Sequence, residues 1–371
     1  MNASFYMPTR VIAGRGAIAK NTAALALGKS ALIVTGKSSA KLCGALDDVT
    51  TALEACGIAY TIFDQVRENP ALLTCFEGGR IAVAANADFV IGIGGGSPMD
   101  AAKAIAAFAA NPLLSPDELY DADKRANASL PIVAIPTTSG TGSEVNPYAV
   151  LTLPDGLRKK TFTCDASWPK VAFVDPKYTD SLPYGTTVST ALDAFAHALE
   201  SYLSPKRSAL SEAAALFAAE RIWDVLSQYP DVFTPEMRDT LSMASTAAGI
   251  AISVTGTGFP HPLGYSITLL DGIPHGKACA VFAEDYITYN EKDPVGKERI
   301  ARFAAACGTT PKVMKTYLPA LAEVELCFTD AEIEERIALV EGAKNYQNSP
   351  YVISPAEMRD IYKRLFAKKR R

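Results

Sequence analysis

The sequence predicts an α/β plus all-α protein, with an N-terminal Rossmann-like domain built on a parallel sheet and a C-terminal all-helical domain. The first half alternates short apolar runs with helical stretches, which is typical of parallel strands covered on both faces. After about Leu182 the strand patterns disappear, and long helical patterns rich in alanine and leucine follow. A chain of 371 residues, 49% of them hydrophobic, is long enough to form two domains with buried cores.

Short apolar runs and periodic stretches locate the individual elements. The predicted strands are 30–35, 59–63, 89–93 and 131–135. The helices predicted between them are 39–56, 72–85 and 99–110. Beyond Pro183 and Gly185, which mark the change of pattern, the predicted helices are 188–202, 208–227, 235–254, 295–305, 331–343 and 355–366. We therefore predict two domains, at 1–182 and 183–371.

Composition excludes several classes of protein. The net charge of −4 and the pI of about 5.6 exclude the strong positive potential of proteins that bind nucleic acid or anionic membranes. No apolar run reaches the roughly 18 residues of a membrane span, and the N-terminus lacks the pattern of a signal peptide. The seven cysteines include no C-x-x-C pair, which predicts reduced, buried thiols. We expect a cytoplasmic protein without nucleic-acid or membrane partners, ending in a solvated basic tail at 368–371.

Two loops rich in glycine and hydroxyl residues follow predicted strands and indicate a bound nucleotide. In the first, 91–100, three consecutive glycines would let the backbone approach a ligand closely. Ser97 would cap the next helix ahead of Pro98, and the free N–H groups of that helix would bind a pyrophosphate. The second loop, 135–144, carries five hydroxyl residues among two glycines. One such loop also fits an ordinary tight turn, but two at strand ends of one sheet favour a nucleotide site.

One aspartate and all three histidines of the chain form a candidate metal site. Asp193 and His197 lie four residues apart in an alanine-rich helical segment, so both project from one face. His261 and His275 lie in segments bracketed by proline and glycine, which predict breaks between helices where a side chain can point into a cleft. Three imidazoles and a carboxylate form a complete ligand set for Fe(II) or Zn(II). Three unrelated core histidines are the alternative.

These motifs, in this order, resemble those of the iron-containing (group III) alcohol dehydrogenases over essentially the whole chain. The motifs are GGGSPMDAAK at 94–103, PTTSGTGSE at 136–144, ALDAFAHALE at 191–200, and the pair His261 and His275. The resemblance implies a dinucleotide-binding domain at 1–182 and a metal-binding domain at 183–371. It also implies hydride transfer between NAD(P)(H) and a small primary alcohol or aldehyde, with the metal polarising the substrate oxygen. A homodimer or higher homo-oligomer is expected.

Transferred motif by motif, the resemblance also implies roles for individual residues. The implied metal ligands, for Fe(II) or alternatively Zn(II), are Asp193, His197, His261 and His275. The implied cofactor contacts are Asn69, Gly94, Gly95, Gly96, Ser97, Asp100, Thr137, Thr138, Thr141, Ser143 and Lys159, with Lys160 as the alternative register for the lysine. His275 and Tyr265 are expected at the reacting centre. Many members carry a histidine at the position of Tyr265, so the proton relay departs here from the family pattern.

The residues after the first predicted strand favour NADP over NAD. Thr35 is followed by Gly36-Lys37-Ser38-Ser39, and the next acid is Asp47. A carboxylate at the strand end would repel a 2′-phosphate, whereas small hydroxyl residues and a lysine would accept one. We therefore predict NADP contacts from Gly36, Ser38 and Ser39, with NAD as the alternative cofactor.

Other functions fit parts of the pattern. Enzymes resembling dehydroquinate synthase or glycerol dehydrogenase also combine a metal with NAD. The synthase chemistry needs a ring of cationic side chains for its polyanionic substrate, whereas segments 190–203 and 258–270 are largely apolar. A nucleotide-binding sensor without activity is a further alternative, and a complete ligand set beside a nucleotide site argues against it.

Overall fold

A parallel sheet of six strands forms the core of the N-terminal half in the computed structural model, which describes residues 5–367. The described residues contain eight strands in all, namely β1 Arg10–Ala13, β2 Ser30–Thr35, β3 Ala59–Phe63, β4 Phe89–Gly94, β5 Ile132–Pro136, β6 Ala149–Thr152, β7 Lys159–Phe162 and β8 Val171–Val174. The order in the sheet is β1-β8-β5-β4-β2-β3, while β6 and β7 form a separate antiparallel pair. The basic run at 368–371 lies outside the described residues.

Helices cover the sheet and make up almost all of the C-terminal half. In the first half they are α1 Ala17–Lys20, α2 Ser39–Leu42, α3 Ala45–Ala55, α4 Leu72–Ala84 and α5 Gly96–Ala110. The remaining helices are α6 Tyr184–Leu203, α7 Ala209–Ser227, α8 Pro235–Thr255, α9 Pro260–Asp271, α10 His275–Ala280, α11 Ala283–Asn290, α12 Pro294–Ala306, α13 Pro311–Ala322, α14 Asp330–Val340 and α15 Pro355–Phe366. No described helix is long and apolar enough to cross a membrane.

Both faces of the sheet are buried, as the near-continuous apolar strands predict. In β4, Val90 packs into a cluster with residues of α4 and α5, such as Leu72 and Ile105. Its neighbour Ile91 points to the opposite face and packs with residues of α1 and α3, such as Leu53. This alternation along a strand buried on both sides confirms the predicted α/β fold class.

Most predicted elements are present, with informative exceptions. The four predicted strands are found within one residue of their predicted bounds, whereas the shorter strands β1, β6, β7 and β8 are additional. The helix predicted over 39–56 is two helices, because Gly44 adopts a left-handed conformation (φ 81°) between α2 and α3. The helices α1, α9, α10, α11 and α13 were not predicted from the sequence.

The placement of two histidines between helices is wrong. His261 is the second residue of α9 and His275 is the first residue of α10. In both places a proline occupies the start of the helix or the residue before it, where its missing N–H is tolerated. The proline and glycine signals therefore mark helix starts.

The chain forms two compact units. The first, called the α/β unit, comprises Tyr6–Pro183 and Asp231–Gly249. The second, called the helical unit, comprises Phe5, Tyr184–Pro230 and residues 250–367 of the described chain. All seven cysteines are free thiols, as predicted, although Cys56 and Cys327 are exposed and not buried.

Candidate functional site

Four side chains of the helical unit converge on one carboxylate oxygen. Asp193 and His197 lie one turn apart on α6, while His261 and His275 come from the first turns of α9 and α10. Asp193 Oδ1 lies 3.7 Å from His197 Nε2, 3.5 Å from His261 Nε2 and 3.9 Å from His275 Nε2. The structure thus brings together the carboxylate and the three imidazoles that the sequence singled out.

Two atoms of this cluster show that it fits a cation. Asp193 Oδ1 and His261 Nε2 are buried, and neither has a hydrogen-bond partner among the described residues. An unsatisfied buried polar atom costs about 1–3 kcal/mol, so such atoms are rare unless a ligand satisfies them. Donors about 2.1 Å from a tetrahedral cation lie roughly 3.4 Å apart, close to the separations of the imidazole nitrogens from Asp193 Oδ1. The donor set and its spacing fit a divalent cation.

Asp193 stays ionised in this buried position. Burial alone would raise the pKa of Asp193, but the adjacent imidazoles of His197, His261 and His275 outweigh it and hold the pKa below its ordinary value. The carboxylate is therefore available as an anionic ligand at physiological pH.

Glu200 binds the ring nitrogen of His261 that points away from Asp193, Nδ1. This carboxylate is fully buried on α6, two turns after Asp193, and its oxygens lie 2.9 and 2.8 Å from His261 Nδ1. The backbone N–H of Gly258 also donates to it, at 2.5 Å. Donation from Nδ1 leaves Nε2 as the ring nitrogen that can bind a cation, on the side that faces Asp193. Glu200 belongs to the ALDAFAHALE motif, but sequence analysis did not single it out.

A glycine allows α10 to begin against α6. A Cβ atom on Gly276 would lie only 1.7 Å from the carbonyl oxygen of Ser189 and 2.9 Å from the backbone nitrogen of Asp193. No side chain fits in that space. Gly276 therefore lets the two helices approach closely, and this approach brings its neighbour His275 next to Asp193.

Cys279 is a further member of the cluster that sequence analysis missed. It lies one turn after His275 on α10, and its Sγ is 3.8 Å from His275 Nε2. One donor atom each from Asp193, His261, His275 and Cys279 lies within 4.8 Å of all the others. Burial raises the pKa of the Cys279 thiol to about 11, so without a cation the thiol is neutral.

Tyr265 lies beside the cluster. Its ring stacks on that of His275, with centroids 5.6 Å apart and planes 23° apart. Burial raises the pKa of Tyr265 to about 12, so its hydroxyl group keeps its proton at physiological pH. The phenol can donate a hydrogen bond but does not act as a base near neutrality.

The two glycine-rich loops meet in the α/β unit. A Cβ atom on Gly95 would lie 3.2 Å from Thr138 Oγ1, and one on Gly96 would lie 2.8 Å from the Thr141 methyl carbon. The prediction that Ser97 caps α5 is wrong: the helix begins at Gly96 with Gly95 as N-cap, and no side chain caps it. Extended backbone at Gly95 allows this earlier start, and the uncapped N–H groups of the first turn are those that bind anions at helix N-termini.

Asp100 and Ser143, two predicted cofactor contacts, bind each other. Ser143 Oγ donates to Asp100 Oδ1 at 2.5 Å, and the N–H of Val150 donates to Asp100 Oδ2 at 2.8 Å. The fully buried Lys103 donates to Ser143 Oγ at 2.7 Å and to the carbonyl of Tyr148 at 2.7 Å. Burial lowers the pKa of Lys103 to about 8. These bonds join the two loops, and sequence analysis did not identify Lys103.

The remaining predicted cofactor contacts lie at several places in the α/β unit. Gly36, Ser38 and Ser39 follow β2, and Thr137 is buried just after β5. Asn69 has left-handed backbone (φ 55°), and its carbonyl accepts a hydrogen bond from Thr152 at 3.0 Å. Lys159 begins β7, while the ammonium group of the alternative residue, Lys160, lies 4.1 Å from the centroid of the Tyr120 ring.

Comparisons with known proteins agree with this picture. Residues 8–176 match the family model of the iron-containing alcohol dehydrogenases, and residues 187–344 match the model of the C-terminal region of that family. The chain is similar to the crystal structure of an iron-containing alcohol dehydrogenase from Thermotoga maritima, with 38% identity, a TM-score of 0.91, and 98% of this chain and 99% of that chain covered.

Two curated relatives are also similar. Alcohol dehydrogenase 4 of Schizosaccharomyces pombe is 30% identical over 327 residues, which cover 87% of this chain and 77% of the relative. The NADPH-dependent butanol dehydrogenase of Clostridium saccharobutylicum is 31% identical over 306 residues, which cover 81% of this chain and 76% of the relative. These matches confirm the resemblance that the motifs indicated. The chain therefore belongs to the iron-containing alcohol dehydrogenase family, and it is an NAD(P)-dependent oxidoreductase of small alcohols and aldehydes.

Proposed function

We propose that Asp193, His197, His261 and His275 hold a divalent cation, Fe(II) first and Zn(II) as the alternative, at which small aldehydes are reduced with NADPH. The observation that carries this proposal is Asp193 Oδ1, a buried atom that faces three imidazole nitrogens and has no hydrogen-bond partner within residues 5–367. The apolar surroundings of α6 and α9 favour a small neutral substrate.

The roles of the surrounding residues follow from their contacts. When bound, the cation supplies Lewis-acid stabilisation of the substrate oxygen, and the nicotinamide supplies or accepts the hydride. Asp193 contributes a fixed negative charge because its carboxylate stays ionised. Glu200 orients His261 through Nδ1. Tyr265 retains its proton and offers a hydrogen-bond donor beside His275.

Replacement of His261 tests the ligand set. We expect His261→Ala, purified anaerobically, to lose both its metal and its NADPH-dependent reduction of butyraldehyde, while circular dichroism shows a folded protein. Glu220→Gln, an exposed change on α7, is the matched control and should keep both. Full turnover of metal-free His261→Ala would overturn the proposal. Stoichiometric consumption of NADPH with butyraldehyde also separates this function from a lyase, which consumes none.

The preference for NADP rests on the residues after β2. Gly36 is followed by the exposed residues Lys37, Ser38 and Ser39, and none of the four carries a carboxylate that would repel a 2′-phosphate. The similar enzyme of Clostridium saccharobutylicum is named as NADPH-dependent, which supports the same preference here. Initial rates of aldehyde reduction with NADPH and NADH under equal conditions test it, and equal or higher kcat/KM with NADH would contradict it.

The organisation of the protein is also part of the proposal. We infer a dinucleotide-binding domain at 1–182, a metal-binding domain at 183–371 and a cytoplasmic homodimer. The family models match on either side of the proposed boundary, ending at 176 and starting at 187, which supports it. Light scattering coupled to size-exclusion chromatography tests the dimer, and a monomeric mass would contradict it.

A further inference from the structure

We propose that Cys279 provides a thiolate ligand to the metal site when the site binds a soft divalent cation such as Zn(II). This inference rests on the proposed function, because it assumes that Asp193, His261 and His275 bind the cation. It adds a sulfur donor that the set of one aspartate and three histidines lacks.

The geometry of α10 carries the inference. His275 and Cys279 are four residues apart on this helix, so both side chains lie on one face. Cys279 Sγ is 3.8 Å from His275 Nε2. Ligands about 2.1 Å (nitrogen) and about 2.3 Å (sulfur) from a tetrahedral Zn(II) lie roughly 3.5 Å apart. The observed separation needs only a small adjustment of the side chains.

The other donors show that the sulfur has cation-binding neighbours. Cys279 is buried, and its donor atom lies within 4.8 Å of those of Asp193, His261 and His275. Two of these neighbouring atoms, Asp193 Oδ1 and His261 Nε2, are buried and have no hydrogen-bond partner in the part of the chain that the structure describes. A cation that satisfies these two atoms would therefore lie close to the sulfur as well.

Five donors around one position imply two overlapping ligand sets. Asp193, His261 and His275 belong to both sets, and either His197 or Cys279 completes four ligands. Zn(II) sites accept mixed nitrogen, oxygen and sulfur ligands, and soft thiolate ligands favour Zn(II) over harder cations. On coordination the S–H bond breaks, the sulfur lone pair binds the cation and the proton passes to solvent. The identity of the cation would thus decide whether the thiolate joins the site.

Substitution with Co(II), a spectroscopic substitute for Zn(II), tests this directly. The full-length protein is stripped of metal and reconstituted with one equivalent of Co(II). We expect thiolate-to-cobalt charge-transfer absorption in the near ultraviolet, which disappears in both Cys279→Ser and Cys279→Ala. Cys307→Ser, which changes a buried thiol on the same unit outside the cluster, should retain the absorption. We also expect Cys279→Ser to weaken Zn(II) binding about 10-fold or more and Fe(II) binding less.

The outcomes separate this inference from the proposed function. Stoichiometric Co(II) binding with visible ligand-field bands and aldehyde reduction, but without charge-transfer absorption, overturns the thiolate ligand and leaves the proposed function intact. Charge-transfer absorption that persists in the Cys279 variants also overturns the thiolate ligand. Failure of the wild-type protein to bind Co(II) overturns both.

Discussion

Glu200 and His261 form a buried pair in which the carboxylate oxygens lie 2.8 and 2.9 Å from Nδ1 of the ring. Because Nδ1 donates to this carboxylate, Nε2 is the ring nitrogen left to bind a cation, and it faces Asp193 Oδ1 at 3.5 Å. The backbone N–H of Gly258, three residues before His261, donates to the same carboxylate. Glu200 therefore fixes the orientation of the His261 ring and also the start of the segment that carries it.

Replacement of Glu200 should weaken metal binding without touching a ligand. We expect Glu200→Ala to lower the affinity of the site about 10–100-fold, because partners of ligating histidines have effects of this size. Glu200→Gln should lose less metal affinity, since its amide oxygen can still accept a hydrogen bond from Nδ1 of His261. Chelator competition with the purified protein measures both affinities. Glu220→Gln is the matched control, and an unchanged affinity in Glu200→Ala would refute the positioning role.

Gly276 should tolerate no side chain. We expect Gly276→Ala to lower the free energy of unfolding by about 1–3 kcal/mol or more, because its Cβ would lie 1.7 Å from the carbonyl oxygen of Ser189. The required shift of α10 moves His275, so metal affinity should also fall about 10-fold or more. Thermal unfolding and chelator competition measure the two effects.

A second glycine provides the control. Gly185 lies in the first turn of α6, and a Cβ atom added to it would have no neighbouring atom within 4 Å. We expect Gly185→Ala to be neutral or stabilising by up to ~1 kcal/mol, since alanine favours the helix. Equal stability of the two alanine variants would show that the close approach of α10 to α6 does not restrict residue 276.

Lys103 should stabilise the junction of the two glycine-rich loops. We expect Lys103→Met to lower the free energy of unfolding by about 3 kcal/mol at pH 7, because the change removes the donor to Ser143 and leaves the largely buried side chain of Asp100, 13% exposed, without its cation. Urea unfolding measures this loss. Lys29→Met, at an exposed lysine, should change stability little; a loss of similar size there would contradict the argument.

The same lysine predicts a pH dependence. Burial lowers the pKa of Lys103 to about 8 in the folded protein, from the ordinary value of 10.5. Between these two values the unfolded chain binds more protons at this group, so its contribution to the free energy of unfolding rises with pH. We expect the difference in the free energy of unfolding between the wild type and Lys103→Met to rise from pH 8 to 10. A falling difference would contradict the lowered pKa.

The sheet could be predicted from the sequence because its central strands are long apolar runs. The strands β2 and β4 each contain six residues that are almost entirely buried, so no polar alternation obscures them. In contrast, β7 contains four residues and begins with Lys159 and Lys160, and neither its length nor its composition indicates a strand. Such short strands are determined by pairing with distant partners, which periodicity does not detect.

Only those members of the metal cluster that are close in sequence on a long helix could be predicted from their spacing. Asp193 and His197 share a long helix with a clear period. Cys279 has the same spacing from His275, but α10 has only six residues and follows Gly272 and Pro274, so the local pattern indicated a break. Glu200 pairs with a histidine 61 positions further along the chain, a contact that no local pattern contains.

A carboxylate at position 36 should reverse the cofactor preference. A Cβ atom there would lie 3.3 Å from the carbonyl oxygen of Val66 and 3.9 Å from Ser39 Oγ, so a side chain fits with a small adjustment. We expect Gly36→Asp to lower the NADPH-to-NADH ratio of kcat/KM about 10-fold or more, because an added negative charge repels the 2′-phosphate and can accept from the ribose hydroxyls of NADH. Steady-state rates of aldehyde reduction with each cofactor measure the ratio.

Gly36→Asn separates charge from shape at this position. The asparagine side chain has nearly the same size and meets the same neighbours, Val66 and Ser39, but it carries no charge. If electrostatic repulsion sets the preference, the asparagine variant keeps most of the wild-type ratio while the aspartate variant loses it, and added salt partly restores NADPH use by the aspartate variant through screening. Equal ratios in the two variants would mean that bulk, and not charge, acts at residue 36. A wild-type ratio in both would place the 2′-phosphate away from the end of β2.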